Sequence, residues 1–342
     1  MPDRKIRLLV VDDSLYMRMA IRAMVGTHPE IVVVGEAEDG LQAIDMALRL
    51  APDVITMDVN MPGLDGLVAT RRIMAEAPTA IIMLSSLTEK GAATTFRALE
   101  AGAVDYLPKS SSAIDVDLVT VAEQLAARIP FWGSPRPGNS MSVAAAVLPT
   151  VPAGTDLLVI AGGSGSQTLV RALLEALAPL PFPVLVAQAM LAKFTGPFVD
   201  YLGRTIGHPT REGTHGCTLA PGIVVVMPGG RQGTVSRNAE GAFSLALERA
   251  GAVGAANADL LASAIQAALR PALIVLSGEA CSLERLSASW AGKDGALWVQ
   301  SPATCVTEAL PRAVLAMGVP AHVLEPVDLV AALRATPERS AA

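Results

Sequence analysis

Short apolar runs alternate with longer amphipathic stretches through the first 130 residues. The runs, rich in β-branched side chains, cover residues 6–11, 31–35, 54–57, 80–84 and 106–107. Between them lie helix-length segments with a three-to-four-residue apolar period, at residues 16–25, 41–51 and 67–76. Strands that alternate with helices predict a doubly wound α/β domain with a five-stranded parallel sheet. The carboxyl ends of all five strands should then share one edge, where open α/β sheets bind ligands.

A second alternating pattern begins at residue 156. Its apolar runs cover residues 157–161, 184–187, 223–227, 273–276, 296–300 and 321–324, with helical stretches between most of them. Residues 223–243 look more like a hairpin, with Gly229 and Gly230 as its turn. The pattern predicts a second, mostly parallel doubly wound α/β domain with a β-hairpin.

Proline, glycine and serine are concentrated between the two patterns, which is typical of an interdomain linker. We therefore predict a first domain at residues 1–130, a linker at 131–155, a second domain at 156–334 and a loose tail at 335–342. Two domains also suit a length of 342 residues.

The composition narrows the class of protein. Hydrophobic residues make up 51% and charged residues 17%, a composition that argues against intrinsic disorder. The net charge of −6 argues against nucleic-acid binding, and no uninterrupted apolar run is long enough for membrane insertion. Three widely spaced cysteines and the absence of a secretory signal pattern predict a cytoplasmic protein.

Three carboxylates stand at the ends of predicted strands. Asp12 and Asp13 end the first strand and Asp58 ends the third. Carboxylates that converge repel each other unless a hard cation lies among them, and Mg²⁺ takes such oxygen ligands. An aspartate beside Mg²⁺ can accept a phosphoryl group as a nucleophile. The pair Ser85-Ser86 and Lys109, after the fourth and fifth strands, offer partners for that group.

This set, with Met61-Pro62-Gly63 after Asp58, resembles the receiver domain of two-component response regulators. The resemblance implies a histidine kinase as phosphodonor and Asp58 as phosphoacceptor. It implies that Asp13, the carbonyl of Asn60 and, through water, Asp12 hold Mg²⁺.

The same resemblance assigns the reading of the phosphate to Ser85 and Lys109, and the position of an aromatic switch to Tyr106. The chain departs from the family pattern after Lys109, where Ser110 replaces the usual proline and Pro108 precedes the lysine.

The second pattern resembles the catalytic half of the chemotaxis protein-glutamate methylesterases over residues 156–333. The landmarks are a glycine-rich turn at 162–165, the triplet Gln188-Ala189-Met190, Pro221-Gly222 and Leu310-Pro311-Arg312-Ala313. The family hydrolyses methyl esters of chemoreceptor glutamates, and deamidates glutamines, with a Ser-His-Asp triad. Here the triad positions carry Gly163, Ala189 and Ser282. Glu279 stands where the family has a methionine and Gln232 where it has a histidine.

A domain without these side chains cannot run the family's chemistry. The sequence therefore predicts a response regulator with a methylesterase-like pseudoenzyme domain that acts by binding, with chemoreceptors or the kinase as candidate targets. The alternative is an active methylesterase and deamidase with a displaced nucleophile such as Ser164. A third reading is a phosphate sink in which only the receiver matters.

The remaining candidates for chemistry are scattered. His28 lies in the first domain and His322 opens the last predicted strand, where a structural role is expected. His208, His215 and Cys217 could form a metal or Cys-His site, although solvated loop histidines fit the spacing better. Cys281 is expected to be a small buried residue, and the turn at 162–165 is a weak match to a phosphate loop.

Overall fold

The computed structural model describes residues 4–86, 88–109, 116–134, 148–249, 258–279 and 283–334. The chain divides into two compact units, Met1–Val143 and Ala144–Ala342. Part of the predicted linker, the predicted tail, Ser110, Cys281 and Ser282 lie outside the described residues.

The first unit is a parallel sheet with helices between its strands. The strand order is β2-β1-β3-β4-β5, which confirms the predicted five-stranded doubly wound fold. The strands are β1 (Ile6–Val11), β2 (Ile31–Ala37), β3 (Val54–Asp58), β4 (Ala80–Ser86) and β5 (Asp105–Lys109). The helices are α1 (Leu15–Val25), α2 (Gly40–Leu50), α3 (Gly66–Glu76), α4 (Glu89–Glu100) and α5 (Val116–Gly133). Because the strand order reverses between β1 and β3, a crevice opens at their carboxyl ends.

Local sequence explains where the first four helices begin. Ser14, Asp39, Asp65 and Thr88 precede α1 to α4, and each side chain accepts a hydrogen bond from the backbone N–H three residues later. These contacts satisfy amides that the helix itself leaves unbonded. The helices therefore begin directly after the strand-end loops that carry the acidic residues.

The second unit holds two sheets. A seven-stranded parallel sheet has the order β15-β14-β13-β6-β7-β10-β8, and an antiparallel sheet has the order β11-β12-β9. The strands are β6 (Leu157–Gly162), β7 (Val184–Gln188), β8 (Thr210–Glu212), β9 (Cys217–Leu219), β10 (Val224–Val226), β11 (Arg231–Arg237), β12 (Phe243–Arg249), β13 (Pro271–Val275), β14 (Ala296–Gln300) and β15 (His322–Leu324). The helices are α6 (Gln167–Ala176), α7 (Ala192–Thr205), α8 (Ala258–Ala267), α9 (Glu284–Trp290), α10 (Ala309–Leu315) and α11 (Pro326–Arg334). The predicted mostly parallel α/β domain with a hairpin is confirmed.

The hairpin lies later in the chain than predicted. It pairs β11 with β12, and its turn is closed at Asn238, whose N–H donates to the Ala242 carbonyl at 2.9 Å. Gly229 and Gly230 instead join β10 of the parallel sheet to β11 of the antiparallel sheet. A side chain at Gly229 would meet the backbone of Met190 and Leu191, so this glycine serves a close approach of two chain segments. The short strands β8 and β9 also lie in a region that the sequence analysis treated as a loop.

Residues 148–155 pack on the second unit. The indole N–H of Trp298 donates to the Pro149 carbonyl at 3.2 Å, and Val151 is buried. At the other end of the predicted linker, α5 continues to Gly133. Among the described residues, no helix is both long and apolar enough to cross a membrane.

Candidate functional site

An acidic pocket lies at the strand-order reversal of the first sheet. Asp12 and Asp13 follow β1, and Asp58 ends β3. One carboxylate oxygen from each lies within 4.8 Å of the others. Asp12 and Asp58 are buried while Asp13 is exposed, so the pocket opens to solvent on the Asp13 side. The structure thus brings together the three carboxylates that the sequence predicted to converge.

Lys109 neutralises part of this charge. Its ammonium lies 2.7 Å from Asp12 Oδ2 and 2.8 Å from Asp58 Oδ2. Burial raises the pKa of Asp58 above its ordinary value, and the negative charge of Asp12 adds to the rise, while Lys109 opposes both. The pocket therefore holds more negative charge than one lysine offsets.

The other residues predicted for this site lie on the same edge. The backbone N–H of Asn60 donates to Asp58 Oδ1 at 3.3 Å. Ser85 is buried near the end of β4, where it pairs with Pro108 beside Lys109. Tyr106 is buried on β5 and packs edge-to-face against Phe96, with 5.6 Å between ring centroids.

The donor set suits a hard divalent cation. It consists of carboxylate oxygens, two of them buried, and it already binds the ammonium of Lys109. Mg²⁺ prefers such oxygens and keeps waters at its open positions, which the exposed side at Asp13 allows. The assignment of Mg²⁺ to Asp12, Asp13, Asp58 and Asn60 stays a prediction.

One further side chain at this pocket was not expected from the sequence. Arg18, on α1, donates from Nη1 to the carbonyl of Asp12 at 2.7 Å. Its only sequence signal is an arginine one turn beyond Ser14, the residue that caps α1.

The corresponding place in the second unit is the turn between β6 and α6. The strand order also reverses here, because β6 lies between β7 and β13. Gly163 is at the centre of this turn, and its backbone is fully bonded. Its N–H donates to the Ser277 carbonyl at 2.7 Å. Its carbonyl accepts hydrogen bonds from Gln188 Nε2 at 2.6 Å, Ser166 Oγ at 2.8 Å and Gln167 Nε2 at 3.3 Å.

The space beside Gly163 is occupied. A Cβ atom at this position would overlap Glu279 Oε2 and lie 3.0 Å from the Cα of Gly278. The hydroxyl of the next residue, Ser164, donates to Glu279 Oε1 at 2.5 Å. Ala189 offers only a methyl group, and its N–H donates to the Gly162 carbonyl at 2.8 Å. Glu279 therefore fills the place that a side chain at position 163 would need.

The histidines and cysteines form no cluster of three metal-ligating side chains in the described part of the chain. The metal-ligating side chains that converge there in a group of three are Asp12, Asp13 and Asp58, so His208, His215 and Cys217 do not. His215 Nδ1 lies 3.2 Å from the backbone N of Leu247. Burial, with the charges of Glu308 and Glu325, raises the pKa of Cys305 to about 12, which keeps this thiol protonated and unreactive.

Family comparisons divide the chain in the same way as the fold. Residues 8–119 match the response regulator receiver domain. Residues 158–333 match the CheB methylesterase family.

Relatives share this organisation over nearly the whole chain. A protein-glutamate methylesterase/protein-glutamine glutaminase 1 of Oleidesulfovibrio alaskensis is 34% identical over 365 aligned positions, covering 96% of this chain and 98% of the relative. One of Alkalilimnicola ehrlichii is 33% identical and covers 95% and 98%.

Similar solved structures cover each half separately. The response regulator domain of Thermotoga maritima CheB is 48% identical over 39% of this chain and all of that domain, with a TM-score of 0.36. The methylesterase catalytic domain of that protein is 19% identical over 52% of this chain and 97% of its own length, with a TM-score of 0.47. On the family matches and the full-length relatives together, this chain belongs to the protein-glutamate methylesterase/protein-glutamine glutaminase family, in which a receiver domain precedes a CheB methylesterase domain.

Proposed function

We propose that this protein is a phosphorylation-controlled regulator of a chemosensory two-component pathway whose second domain acts by binding. The observation that carries the receiver part is the buried Asp58 carboxylate among Asp12, Asp13 and Lys109. A partner histidine kinase supplies the phosphoryl group, and chemoreceptors or the kinase are the targets of the second domain. The cytoplasm is where such partners would meet it.

In the proposed reaction Asp58 is the nucleophile. A carboxylate oxygen attacks the phosphorus of a phosphohistidine, the P–N bond breaks, and the imidazole leaves with the bonding electrons. Bound Mg²⁺, held by Asp12, Asp13, Asp58 and the Asn60 carbonyl, would offset negative charge on the phosphoryl oxygens.

The residues around Asp58 then respond to the new charge. Lys109 loses a carboxylate partner when Asp58 becomes esterified, and its ammonium turns to the phosphoryl oxygens. Ser85, which pairs with Pro108 on the same sheet edge, would donate its hydroxyl to the same group. Movement of β4 and β5 toward the phosphate changes the packing of Tyr106 on α4, which is the signal passed on.

The environment of Gly163 supports a binding role for the second domain. Gly163 carries no nucleophilic side chain, and Ala189 carries no basic one. Glu279 fills the space that a side chain at position 163 would occupy. Ser166 and Gln188 are both committed to the Gly163 carbonyl. A side chain that attacks an ester needs a free approach and a base, and neither is present at position 163.

A second candidate function rests on the contact between Ser164 and Glu279. The hydroxyl of Ser164 donates directly to the Glu279 carboxylate, and both side chains are partly exposed. A carboxylate can accept a proton from an attacking hydroxyl. Ser164 with Glu279 would then hydrolyse the receptor methyl ester or amide in place of the family triad.

The deciding experiment measures methanol release from methylated receptor membranes. The full-length protein is first phosphorylated with a small-molecule phosphodonor and Mg²⁺, and incorporation at Asp58 is confirmed with Asp58→Asn as the blank. Asp45→Asn, an exposed carboxylate on α2, is the matched control and should incorporate phosphate normally. We expect no methanol release above the protein-free rate.

Methanol release that is lost in Ser164→Ala and in Glu279→Gln would establish the second candidate and overturn the binding role. Absence of phosphate incorporation in the wild-type protein would overturn the receiver mechanism itself.

A further inference from the structure

Arg18 contacts the loop that presents two of the three carboxylates. This residue lies on α1, and its side chain is only 11% exposed. Its Nη1 donates to the carbonyl of Asp12 at 2.7 Å and lies 3.4 Å from the carbonyl of Asp13. The guanidinium therefore holds the backbone of the Asp12-Asp13 pair and does not contact their carboxylates.

A carboxylate on the neighbouring strand orients this arginine. Arg18 Nε lies 3.5 Å from Glu36 Oε2 on β2. Arg22, one turn further along α1, also contacts Glu36, with Nη1 at 3.2 Å from Oε1, but its side chain is 69% exposed. Both arginines contact Glu36, but it is the guanidinium of Arg18 that reaches the carbonyls of Asp12 and Asp13.

Two further hydrogen bonds hold Asp12, one through its backbone and one through its side chain. Its N–H donates to the Ala37 carbonyl at 3.1 Å, and its Oδ1 accepts from the N–H of Ser14 at 3.0 Å. The orientation of the peptide unit after Asp12 sets the direction of the Asp13 side chain, which is exposed and has no such restraint of its own. The planar guanidinium of Arg18, which donates to the Asp12 carbonyl, fixes the orientation of that peptide unit.

We propose that Arg18, oriented by Glu36, is a positioning residue for the divalent cation of the phosphorylation site. It acts through the backbone of Asp12 and Asp13, whose side chains it holds in the geometry that binds the ion. The inference rests on the proposed function, since it concerns the cation of that site.

The charge of Arg18 and its positioning role predict opposite effects. A positive charge close to a cation site repels the cation, so its removal should tighten binding if charge alone matters. Loss of a restraint on two ligands should instead weaken binding, because the ion must then order the loop itself. The sign of the change identifies the role.

The experiment titrates the full-length protein with Mn²⁺, a hard divalent cation that accepts the same oxygen ligands and is detected by electron paramagnetic resonance. The variants are Arg18→Met, which keeps the aliphatic chain, Arg18→Lys, which keeps the charge, and Arg22→Met as the matched control. We expect about 10-fold weaker binding for Arg18→Met, a smaller loss for Arg18→Lys and wild-type binding for Arg22→Met. Excess Mg²⁺ should restore phosphate incorporation at Asp58 in Arg18→Met.

Unchanged or tighter Mn²⁺ binding in a folded Arg18→Met protein would overturn the inference. If that variant does not fold, Arg18→Lys decides. A single ammonium cannot hold Glu36 and both carbonyls, so wild-type binding in Arg18→Lys would overturn the inference and weaker binding would support it.

Asp13→Asn separates this inference from the proposed function. If Asp13→Asn removes none of the Mn²⁺ binding of the wild-type protein, the proposed cation site itself fails. If the wild-type protein binds Mn²⁺ at this site, and Arg18→Met and Arg18→Lys bind it with the same affinity, the cation site stands and only the positioning role of Arg18 fails.

Discussion

The acidic pocket after β1 and β3 and the turn after β6 occupy the same kind of place, the carboxyl edge of a parallel sheet at its order reversal. Their interactions differ. In the acidic pocket, three carboxylates converge, two of them (Asp12 and Asp58) share the ammonium of Lys109, and burial raises the pKa of Asp58. In the turn, the Gly163 backbone is fully bonded, and Glu279 takes up the adjoining space.

The difference shows how a reactive site departs from an ordinary one. Unbalanced charge costs stability and is kept where a ligand or reaction relieves it. A backbone whose hydrogen bonds are all made, such as that of Gly163, is an ordinary feature of a folded protein and holds no uncompensated charge. On this criterion the acidic pocket of the first unit has the features of a reactive site, and the surroundings of Gly163 in the second unit do not.

The largest expected effect is the loss of stability when the acidic pocket loses the ammonium of Lys109. Lys109→Met should lower the stability of the first unit by about 3–5 kcal/mol in the absence of divalent ions, because Asp12 and Asp58 lose their counter-charge. Added Mg²⁺ should recover part of the loss. Calorimetry of the full-length protein at neutral pH measures both, with the exposed Lys90→Met as control. An unchanged unfolding temperature without Mg²⁺ would contradict the comparison.

The second prediction concerns the space at Gly163. Gly163→Ser should destabilise the second unit by about 1–3 kcal/mol, because the new side chain overlaps Glu279. The double variant Gly163→Ser/Glu279→Ala should recover most of this loss, which a double-mutant cycle of unfolding free energies would show. Gly196→Ser, where an added Cβ meets nothing within 4 Å, is the control. Additive effects of the two substitutions would mean that Glu279 does not close the site.

The third prediction uses the pH dependence of stability. Because burial raises the pKa of Asp58 in the folded state, the folded state holds this proton to a higher pH than the unfolded chain does. Ionisation therefore lowers stability as the pH rises from the ordinary pKa of 3.8 through the raised value. Asp58→Asn should be more stable than wild type at pH 7, by about 1 kcal/mol, and the gap should close below the ordinary pKa. Parallel thermal unfolding curves from pH 3 to pH 7 test this, and a gap that widens in acid would contradict it.

The smallest expected effect concerns two buried threonines of the first unit, Thr56 and Thr70. The hydroxyl of Thr56, on β3, has no hydrogen-bond partner among the residues that the structure describes, whereas that of Thr70, on α3, donates to the Gly66 carbonyl at 2.7 Å. Thr56→Val should be neutral or slightly stabilising, and Thr70→Val should cost about 1 kcal/mol. Chemical denaturation measures the unfolding free energies of both variants. Equal losses of unfolding free energy would show that the Thr56 hydroxyl is hydrogen-bonded in solution.

Periodic patterns and strand-end residues were enough to predict much of the molecule. The five strands of the first sheet, the meeting of Asp12, Asp13 and Asp58, and the two α/β units all follow from local sequence and the rules of parallel sheets. The hairpin was misplaced because two glycines look alike in sequence whether they close a turn or allow two segments to approach. The role of Gly229 depends on Met190 and Leu191, some 40 residues earlier in the chain.

The sequence by itself determined which side chains are available: carboxylates and a lysine at one sheet edge of the first unit, and glycine and alanine at positions 163 and 189 of the second. Only the tertiary structure decided that Glu279 lies against Gly163 and that Arg18 donates a hydrogen bond to the backbone carbonyl of Asp12. The first contact joins residues more than a hundred positions apart, and the second depends on how a helix packs beside a loop. Neither leaves a periodic signal, because side-chain contacts of this kind depend on the three-dimensional packing of the elements rather than on their local pattern.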